Sequence, residues 1–413
     1  MEAEKVKCLI IGSGPAGYTA AFQASAKGLS VVMFEKDKVG GVCLNKGCIP
    51  TKAILHSAEV YQELKSCETL GVYADNVRFN FAEIIEHKNK IVEKLRKNLE
   101  LSLKNAKVNL VNAEAKILSA NKIEADGIIY ECSRIIAASG AEPRNFKGME
   151  VDGKFILNSD DVLNLEKLPR NIVIVGSGAI GVEWARIFSA FGVDVTVVEL
   201  AENLLPLADI EVSKRVERIF KTGKIKFYKG IGVDKIENPK VYLTNGEVIE
   251  TESVLVAIGR KACEVSNVDG ITFIGDACGA IQLAHFASKQ AIEHVAGISF
   301  DKTLVPSVIY GNPEIAWVGK REQDLEAGTY KKASLLISAL GKSHCDNATD
   351  GFIKILSQND MIVGAHIVSK EASAMVQELL VAIQNKISVS KLKEICFAHP
   401  TYSVGIYDCL FKL

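Results

Sequence analysis

An α/β fold, with one parallel-sheet unit used twice and a separate α+β unit at the C-terminus, is predicted by three features of the sequence. A buried-strand pattern, a glycine-rich turn and a small-residue helix follow one another near the N-terminus and again in mid-chain. Each copy ends its second strand on a glutamate. From about residue 304 the pattern changes to alternating apolar strands and two helices, near 372–385 and 388–395. At 413 residues the chain is too long for one ordinary core, so several domains are expected.

The first copy begins with a strand over residues 5–11 and turns through Gly12-Ser-Gly14-Pro-Ala-Gly17. A helix over 18–27 follows, then a strand over 30–34 that ends at Glu35. The second copy has a strand over 171–175, then Gly176-Ser-Gly178-Ala-Ile-Gly181 and a helix to about residue 191. Its second strand, 194–198, ends at Glu199. In both copies the glutamate lies 23 positions after the first glycine. This is the pattern of a Rossmann-like dinucleotide-binding unit. The first glycine permits the tight turn, the second lets backbone approach a pyrophosphate, and the third lets helix pack on strand. The phosphates then meet a helix N-terminus, where free N–H groups and the dipole favour anions. The glutamate accepts hydrogen bonds from a ribose diol and repels a 2′-phosphate, so Glu199 favours NAD over NADP at the second site. Two sites imply either two cofactors or a duplication with one idle copy.

Between the copies, apolar residues at helical spacing (Ile84, Ile85, Ile91, Leu95, Leu99, Leu103) predict a helix over 82–106 with one packed face. Basic and acidic residues number 49 and 50, so nothing draws the chain to nucleic acid or to an anionic membrane. No run of 18 apolar residues is present and the N-terminus lacks a signal-peptide pattern, so a cytoplasmic setting is expected. Ten cysteines are present. Eight of them (Cys8, Cys67, Cys132, Cys263, Cys278, Cys345, Cys396, Cys409) lack metal-ligand spacing and are expected to be small buried hydrophobes.

Cys43 and Cys48, in the stretch GGVCLNKGCIPTK from Gly40 to Lys52, stand apart. In a regular α-helix their Cα atoms would lie roughly 8–9 Å apart, beyond the ~7 Å limit for a disulfide. The pair is therefore expected in a loop or distorted turn. Pro50 places a helix start nearby, with Cys48 just before it, a position that stabilises a thiolate poised for electron exchange.

GGVCLNKGCIPTK is similar to the redox-disulfide signature of the family that includes dihydrolipoamide dehydrogenase, glutathione reductase and mercuric reductase. The resemblance extends along nearly the whole chain. It takes in IGSGPAG at the start, ASG at Ala138–Gly140, AIGR at Ala257–Arg260, IGDA at Ile274–Ala277 and AHPT at Ala398–Thr401. PSVIYGNPEIAWVG, from Pro306 to Gly319, looks most like the dihydrolipoamide dehydrogenase branch. The resemblance implies FAD at the first site and NAD at the second. It implies an FAD-binding domain over 1–146 with the redox disulfide, an NAD-binding domain over 147–265, a shortened return segment over 266–305 and a dimerisation domain over 306–413. Cys43, Cys48 and His399 would carry the chemistry, His399 as a base reaching the other subunit of a homodimer across a cis His399–Pro400 bond. Glu35 would hold the FAD ribose and Asp276, beside Ala277, the ribityl chain. Lys52 would lie by the flavin, paired with Glu183, and Ile180 by the nicotinamide. Gly12, Gly14, Gly17 and Gly140 would line the FAD site, and Gly176, Gly178, Gly181, Glu199 and Gly259 the NAD site. The implied reaction is oxidation of dihydrolipoamide on a lipoyl-bearing protein of a 2-oxoacid dehydrogenase or glycine cleavage system.

Three departures from the family pattern carry expectations of their own. Val404 stands where a glutamate usually braces the histidine, so disulfide turnover is expected to be low but measurable. Only fourteen residues separate Arg260 from Gly275, which is expected to weaken the return to the first unit and its hold on FAD. The chain ends soon after His399, at Leu413, which shortens the dimer surface. Another disulfide reductase of the family, or a weakly catalytic flavin-binding component of a multienzyme assembly, are the alternative readings.

Overall fold

The computed structural model describes residues 4–263 and 268–413. The expected domain boundary between residues 265 and 266 lies outside the described residues.

The first unit is built on a central strand, β1 (Glu4–Ile11), with Leu9 and Ile10 fully buried. It runs parallel to β2 (Val31–Phe34) on one side and to the long β6 (Ile128–Ala137) on the other. With β3 (Asn109–Val111), β4 (Lys116–Ser119) and β5 (Lys122–Ala125) the sheet order is β3-β2-β1-β6-β5-β4. Helix α1 (Pro15–Ala26) opens on proline and packs through Ala16, Ala20, Ala21 and Ala24. Its close seat on the strand depends on Gly17, where a Cβ would sit 1.9 Å from the Gly12 carbonyl oxygen. Three further helices follow: α2 (Gly41–Asn45), α3 (Cys48–Ser66) and α4 (Phe81–Asn105). The last is the helix expected over 82–106, capped by Asn80, whose side chain accepts from the Ala82 N–H. Its buried face is narrower than the apolar spacing predicts and includes Lys88, which donates to the Leu163 carbonyl at 2.9 Å.

The second unit repeats the plan. After β7 (Ala141–Pro143) and β8 (Ile156–Leu157), β9 (Asn171–Val175), α5 (Ala179–Ala190) and β10 (Asp194–Glu199) reproduce the strand–turn–helix–strand order. Helix α6 (Ile210–Thr222) leads to β11 (Lys226–Lys229), and a three-stranded antiparallel flap of β12 (Val233–Glu237), β13 (Lys240–Leu243) and β14 (Val248–Glu250) precedes β15 (Ser253–Val256). The parallel sheet order is β11-β10-β9-β15-β8.

The return to the first unit, expected to be weakened, is made within the short segment. Strand β16 (Arg260–Ala262) pairs antiparallel with β7, and β17 (Thr272–Phe273) joins the first sheet parallel to β6 at Ile136 and Ala137. Each pairing needs only two or three residues, which the short segment supplies. Helix α7 (Ala284–Ala296) then packs against α1.

The third unit is an antiparallel sheet of β18 (Ser307–Ile309), β19 (Glu314–Gly319), β20 (Lys331–Leu336), β21 (Phe352–Gln358) and β22 (Met361–Ser369), in the order β18-β19-β22-β21-β20. Its helices are α8 (Gly341–Cys345), α9 (Ala372–Gln384), α10 (Val389–Leu392) and α11 (Val404–Leu410). The molecule thus has the expected class: two Rossmann-like units and a C-terminal α+β unit. The second and third are joined by a fully buried ion pair, Lys354 Nζ to Asp209 Oδ1 at 2.8 Å, with Glu322 Oε2 at 2.5 Å from the same ammonium. Among the eight scattered cysteines Cys8, Cys67 and Cys409 are buried and Cys132 and Cys263 half-buried; the expectation of burial fails for Cys278, Cys345 and Cys396, which are exposed, the first two at the ends of short helices. No helix among the described residues is long and apolar enough to cross a membrane.

Candidate active site

A cleft of about 1040 Å³ is lined by residues of all three units. One wall is the glycine turn after β1. Gly12 adopts φ +92°, and a Cβ there would sit 2.3 Å from the Ala138 carbonyl oxygen, so the turn and the end of β6 touch backbone to backbone. Glu35 lies across this turn and is almost fully buried. Its Oε2 accepts from the Ser13 N–H at 3.0 Å and hydroxyl at 2.5 Å, and its Oε1 from the Asp37 N–H at 2.9 Å. The second unit repeats this atom for atom. Glu199 Oε2 accepts from the Ser177 N–H and hydroxyl, each at 2.7 Å, and Oε1 from the Ala201 N–H at 2.8 Å. Sequence reasoning missed both serines, although a serine between the first two glycines of each copy was a visible signal.

The middle glycines serve a different purpose from their neighbours. A Cβ on Gly181 would sit 2.0 Å from the Gly176 carbonyl oxygen, whereas one on Gly178 meets nothing within 4 Å. Gly181 is there for packing; Gly178 keeps open space in front of the α5 N-terminus, where an anion fits.

Cys43 and Cys48 line the cleft and straddle a break between helices, as their spacing requires. Helix α2 ends at Asn45, and Cys48 is itself the first residue of α3, so the helix begins earlier than expected and takes in the cysteine that was expected just before it. Both are thiols in this structure. The Cys43 S–H donates to the Cys48 sulfur, which raises the Cys43 pKa and lowers that of Cys48 to about 7. Burial works against the Cys48 thiolate, and the Lys52 ammonium and the Cys48 N–H at the head of α3 work for it.

One turn along α3, Lys52 Nζ donates to both oxygens of Glu183, at 2.9 and 2.7 Å. Glu183 comes from α5 of the second unit and is buried. Ile180, one turn earlier on α5, also faces the cleft. From the third unit, the Tyr310 N–H donates to Glu183 Oε1 at 3.0 Å, and its ring lies 4.6 Å from the Lys52 ammonium. Asp276, on the turn after β17, lines the cleft with its carboxyl pushed up by burial, an effect that Arg260 opposes.

The cleft therefore gathers Gly12, Gly14, Glu35, Cys43, Cys48, Lys52, Gly140, Ile180, Glu183 and Asp276. Gly17 lies behind its wall, and Ala277 follows Asp276 without lining it. Gly176, Gly178, Gly181, Glu199 and Gly259 belong to the second unit's own turn, outside this cleft. His399 is also outside it, exposed on the loop between α10 and α11, with a cis His399–Pro400 bond. Val404 opens α11, and the preceding Ser403 hydroxyl donates to Glu378 at 2.6 Å.

Among the described residues, three buried polar atoms on the cleft wall have no partner: Asn45 Oδ1, Ser139 Oγ and Arg260 Nε. Unsatisfied buried groups of this kind are rare unless a ligand completes them. Together with the glycine turn and the buried Glu35, they fit a large dinucleotide with hydroxyls and a pyrophosphate. FAD is such a group.

Residues 6–266 match the family described as pyridine nucleotide-disulphide oxidoreductase, and residues 305–407 match that family's dimerisation domain. The chain is similar to dihydrolipoyl dehydrogenase of Bacillus subtilis, with 34% identity over 98% of this chain and 97% of that one. Dihydrolipoyl dehydrogenase of Chlamydia pneumoniae is 33% identical over 97% of this chain and 95% of its own. Among solved structures, LpdA of Mycobacterium tuberculosis superposes with a TM-score of 0.91 at 24% identity, covering 98% of this chain and 99% of that one. The HOCl-induced flavoprotein disulfide reductase RclA of Escherichia coli does so at 0.86 and 23%, with the same coverage. These two share the fold.

Proposed function

This chain belongs to the pyridine nucleotide-disulphide oxidoreductase family, and on that premise we propose that it oxidises protein-bound dihydrolipoamide through a Cys43–Cys48 disulfide, with FAD and NAD as cofactors. The observation that carries the proposal is the Cys43–Cys48 pair at the head of α3, one turn from a lysine–glutamate pair and inside a dinucleotide-sized cleft.

In the oxidised enzyme a dihydrolipoamide thiolate attacks the Cys43 sulfur. The Cys43–Cys48 bond breaks and Cys48 leaves as a thiolate, which the Lys52 ammonium and the N–H at the head of α3 favour. The second dihydrolipoamide thiol then displaces Cys43, closing the lipoamide disulfide and leaving the cysteine pair reduced by two electrons. His399 of the partner subunit accepts the proton of the first substrate thiol, and the proton of the second passes to Cys43 as it leaves. Gly12, Gly14, Glu35 and Asp276 line the cleft where FAD would be held, and FAD would supply a two-electron carrier between the dithiol and NAD. Lys52 holds positive charge beside that carrier, and Glu183 holds Lys52. Glu35 and Glu199, each fixed by three donors, present their remaining lone pairs to ribose hydroxyls, and Glu199 repels a 2′-phosphate.

The partner is a lipoyl-bearing protein of a 2-oxoacid dehydrogenase or glycine cleavage system, the working form is a homodimer, and the setting is cytoplasmic. The family's dimerisation domain supports the second point. The test is to purify the protein, identify FAD by its visible spectrum and assay dihydrolipoamide-driven NAD reduction. Activity abolished in Cys43→Ser is the expected outcome. A yellow protein that reduces neither NAD nor lipoamide would overturn the proposal in favour of a flavin-binding component with little catalysis.

A further inference from the structure

The Lys52–Glu183 pair has a third member, from the third unit. Tyr310 follows β18 and touches both partners by different means. Its backbone N–H donates to Glu183 Oε1 at 3.0 Å, and its ring lies under the Lys52 ammonium at 4.6 Å from the centroid. A cation at that distance from an aromatic face is attracted by the ring's quadrupole. The ammonium thus sits between a carboxylate on one side and a ring on the other, with its reach along the cleft fixed by both.

The placement of Tyr310 is itself fixed from α5, the helix that carries Glu183. One turn beyond Glu183, Arg186 donates to the Pro313 carbonyl at 2.8 Å. The same guanidinium fills the space beside Gly311, where a Cβ would lie 2.3 Å from it at a φ of +137°. So the 310–313 turn is clamped against α5, and the clamp delivers the tyrosine ring to Lys52. Lys52, Glu183 and Tyr310 come from three different units of the fold, and all three line the cleft that holds Cys43 and Cys48.

We propose that Tyr310 is a positioning residue, whose ring and N–H together hold the Lys52 ammonium in register with the Cys43–Cys48 centre. The proposal rests on the function above for its meaning, since that function gives Lys52 its place beside flavin and thiolate. Its consequence is that correct seating of the third unit sets the charge environment of the redox pair. The titratable groups facing the Cys48 sulfur are Cys43 beside it, Lys52 one turn along α3, Glu183 on α5, and the Tyr18 and Tyr310 phenols, both of which feel the cysteine charges. Removing the ring lets Lys52 swing toward water and weakens its support of the Cys48 thiolate. The phenol oxygen has no part in this, so a ring without it serves equally.

The experiment is the pH profile of Cys48 alkylation by iodoacetamide in the reduced protein, read by mass spectrometry, with the flavin spectrum recorded alongside. Tyr310→Leu is expected to raise the alkylation midpoint by about one pH unit, equivalent to about 1.4 kcal/mol. Tyr310→Phe is expected to keep the wild-type midpoint. In a Lys52→Met background Tyr310→Leu is expected to add nothing, because the effect passes through the ammonium. An unchanged midpoint in Tyr310→Leu, or the same added shift in the Lys52→Met background, overturns the proposal. Tyr310→Met, an unbranched replacement, repeats the comparison if the leucine variant melts early. A wild-type protein that carries no flavin overturns the proposed function instead, and the alkylation profile still decides on Tyr310.

Discussion

At Cys48 several influences meet on one sulfur: a hydrogen bond from Cys43, burial that opposes charge, the Lys52 ammonium and the first N–H groups of α3. Their sum lowers the pKa to about 7. Above that pH the reduced protein holds a thiolate at Cys48; below it the thiol is protonated and slow. Alkylation of Cys48 is therefore expected to accelerate as pH rises through 7, and Lys52→Met to move that rise upward. Val404 makes the opposite kind of residue-scale statement, a group that is missing. Val404→Glu is expected to raise dihydrolipoamide turnover roughly tenfold to a hundredfold, part of the ~10²–10⁴ that general-base help supplies. Steady-state rates for the two proteins decide it, and equal rates would remove the histidine brace from the account. The cysteine pair and the absent carboxylate were both legible in the sequence, because each is a matter of residue type at a fixed offset. Tyr310 was not, since nothing near it in sequence announces that its ring will meet a lysine from the first unit.

The two glycine turns separate packing from binding at the scale of the element. Gly181→Ala would drive a methyl carbon to 2.0 Å from the Gly176 carbonyl and force α5 off β9. Overpacking of this order typically costs about 1–3 kcal/mol, visible as a lower melting temperature. Gly178 has φ −69° and open space around its Cβ position, so Gly178→Ala is expected to melt with the wild type. Its methyl group would instead occupy the approach to the helix N-terminus, and NAD affinity is expected to fall at least ~10-fold, about 1.4 kcal/mol. Calorimetric titration and thermal melts on the two variants should give opposite patterns. The strand–turn–helix–strand periodicity foretold these elements to within a residue at each strand end, and missed the start of α1 by three residues. It could not foretell that Ser13 and Ser177 would anchor Glu35 and Glu199, because the bond closes only when the second strand lies beside the first.

Over the whole molecule, the buried contact between second and third units has a pH signature. Although burial opposes it, bonds from Lys354, Lys332 and Tyr330 hold the Glu322 carboxyl at about 2, well below its ordinary 4.5. Asp209 is also held low: burial opposes this, and Lys354 and the Glu322 N–H outweigh it. A carboxyl depressed on folding stabilises the fold above its ordinary pKa and loses that contribution as pH falls through the folded value. The stabilising effect of Glu322 should therefore be complete near neutrality and drain away between about pH 4.5 and 2. Glu322→Gln is expected to lower the melting temperature at pH 7 and to flatten its dependence on pH in that window. Lys354→Met would strand the buried Asp209 carboxylate, and changes of that kind cost about 3–5 kcal/mol. Light scattering is expected to give twice the chain mass, since His399 lies outside its own chain's cleft. The sequence by itself determined the two nucleotide units, the redox cysteines and the short link between them, because hydrophobic period, glycine spacing and residue type are local properties. The family resemblance already implied the Lys52–Glu183 pair; only the tertiary structure decided that Tyr310 of the third unit joins it. The short link preserves the first sheet because strand pairing needs few residues, and Tyr310 reaches Lys52 and Glu183 because the contacts of Arg186 with Pro313 and Gly311 hold its turn against α5.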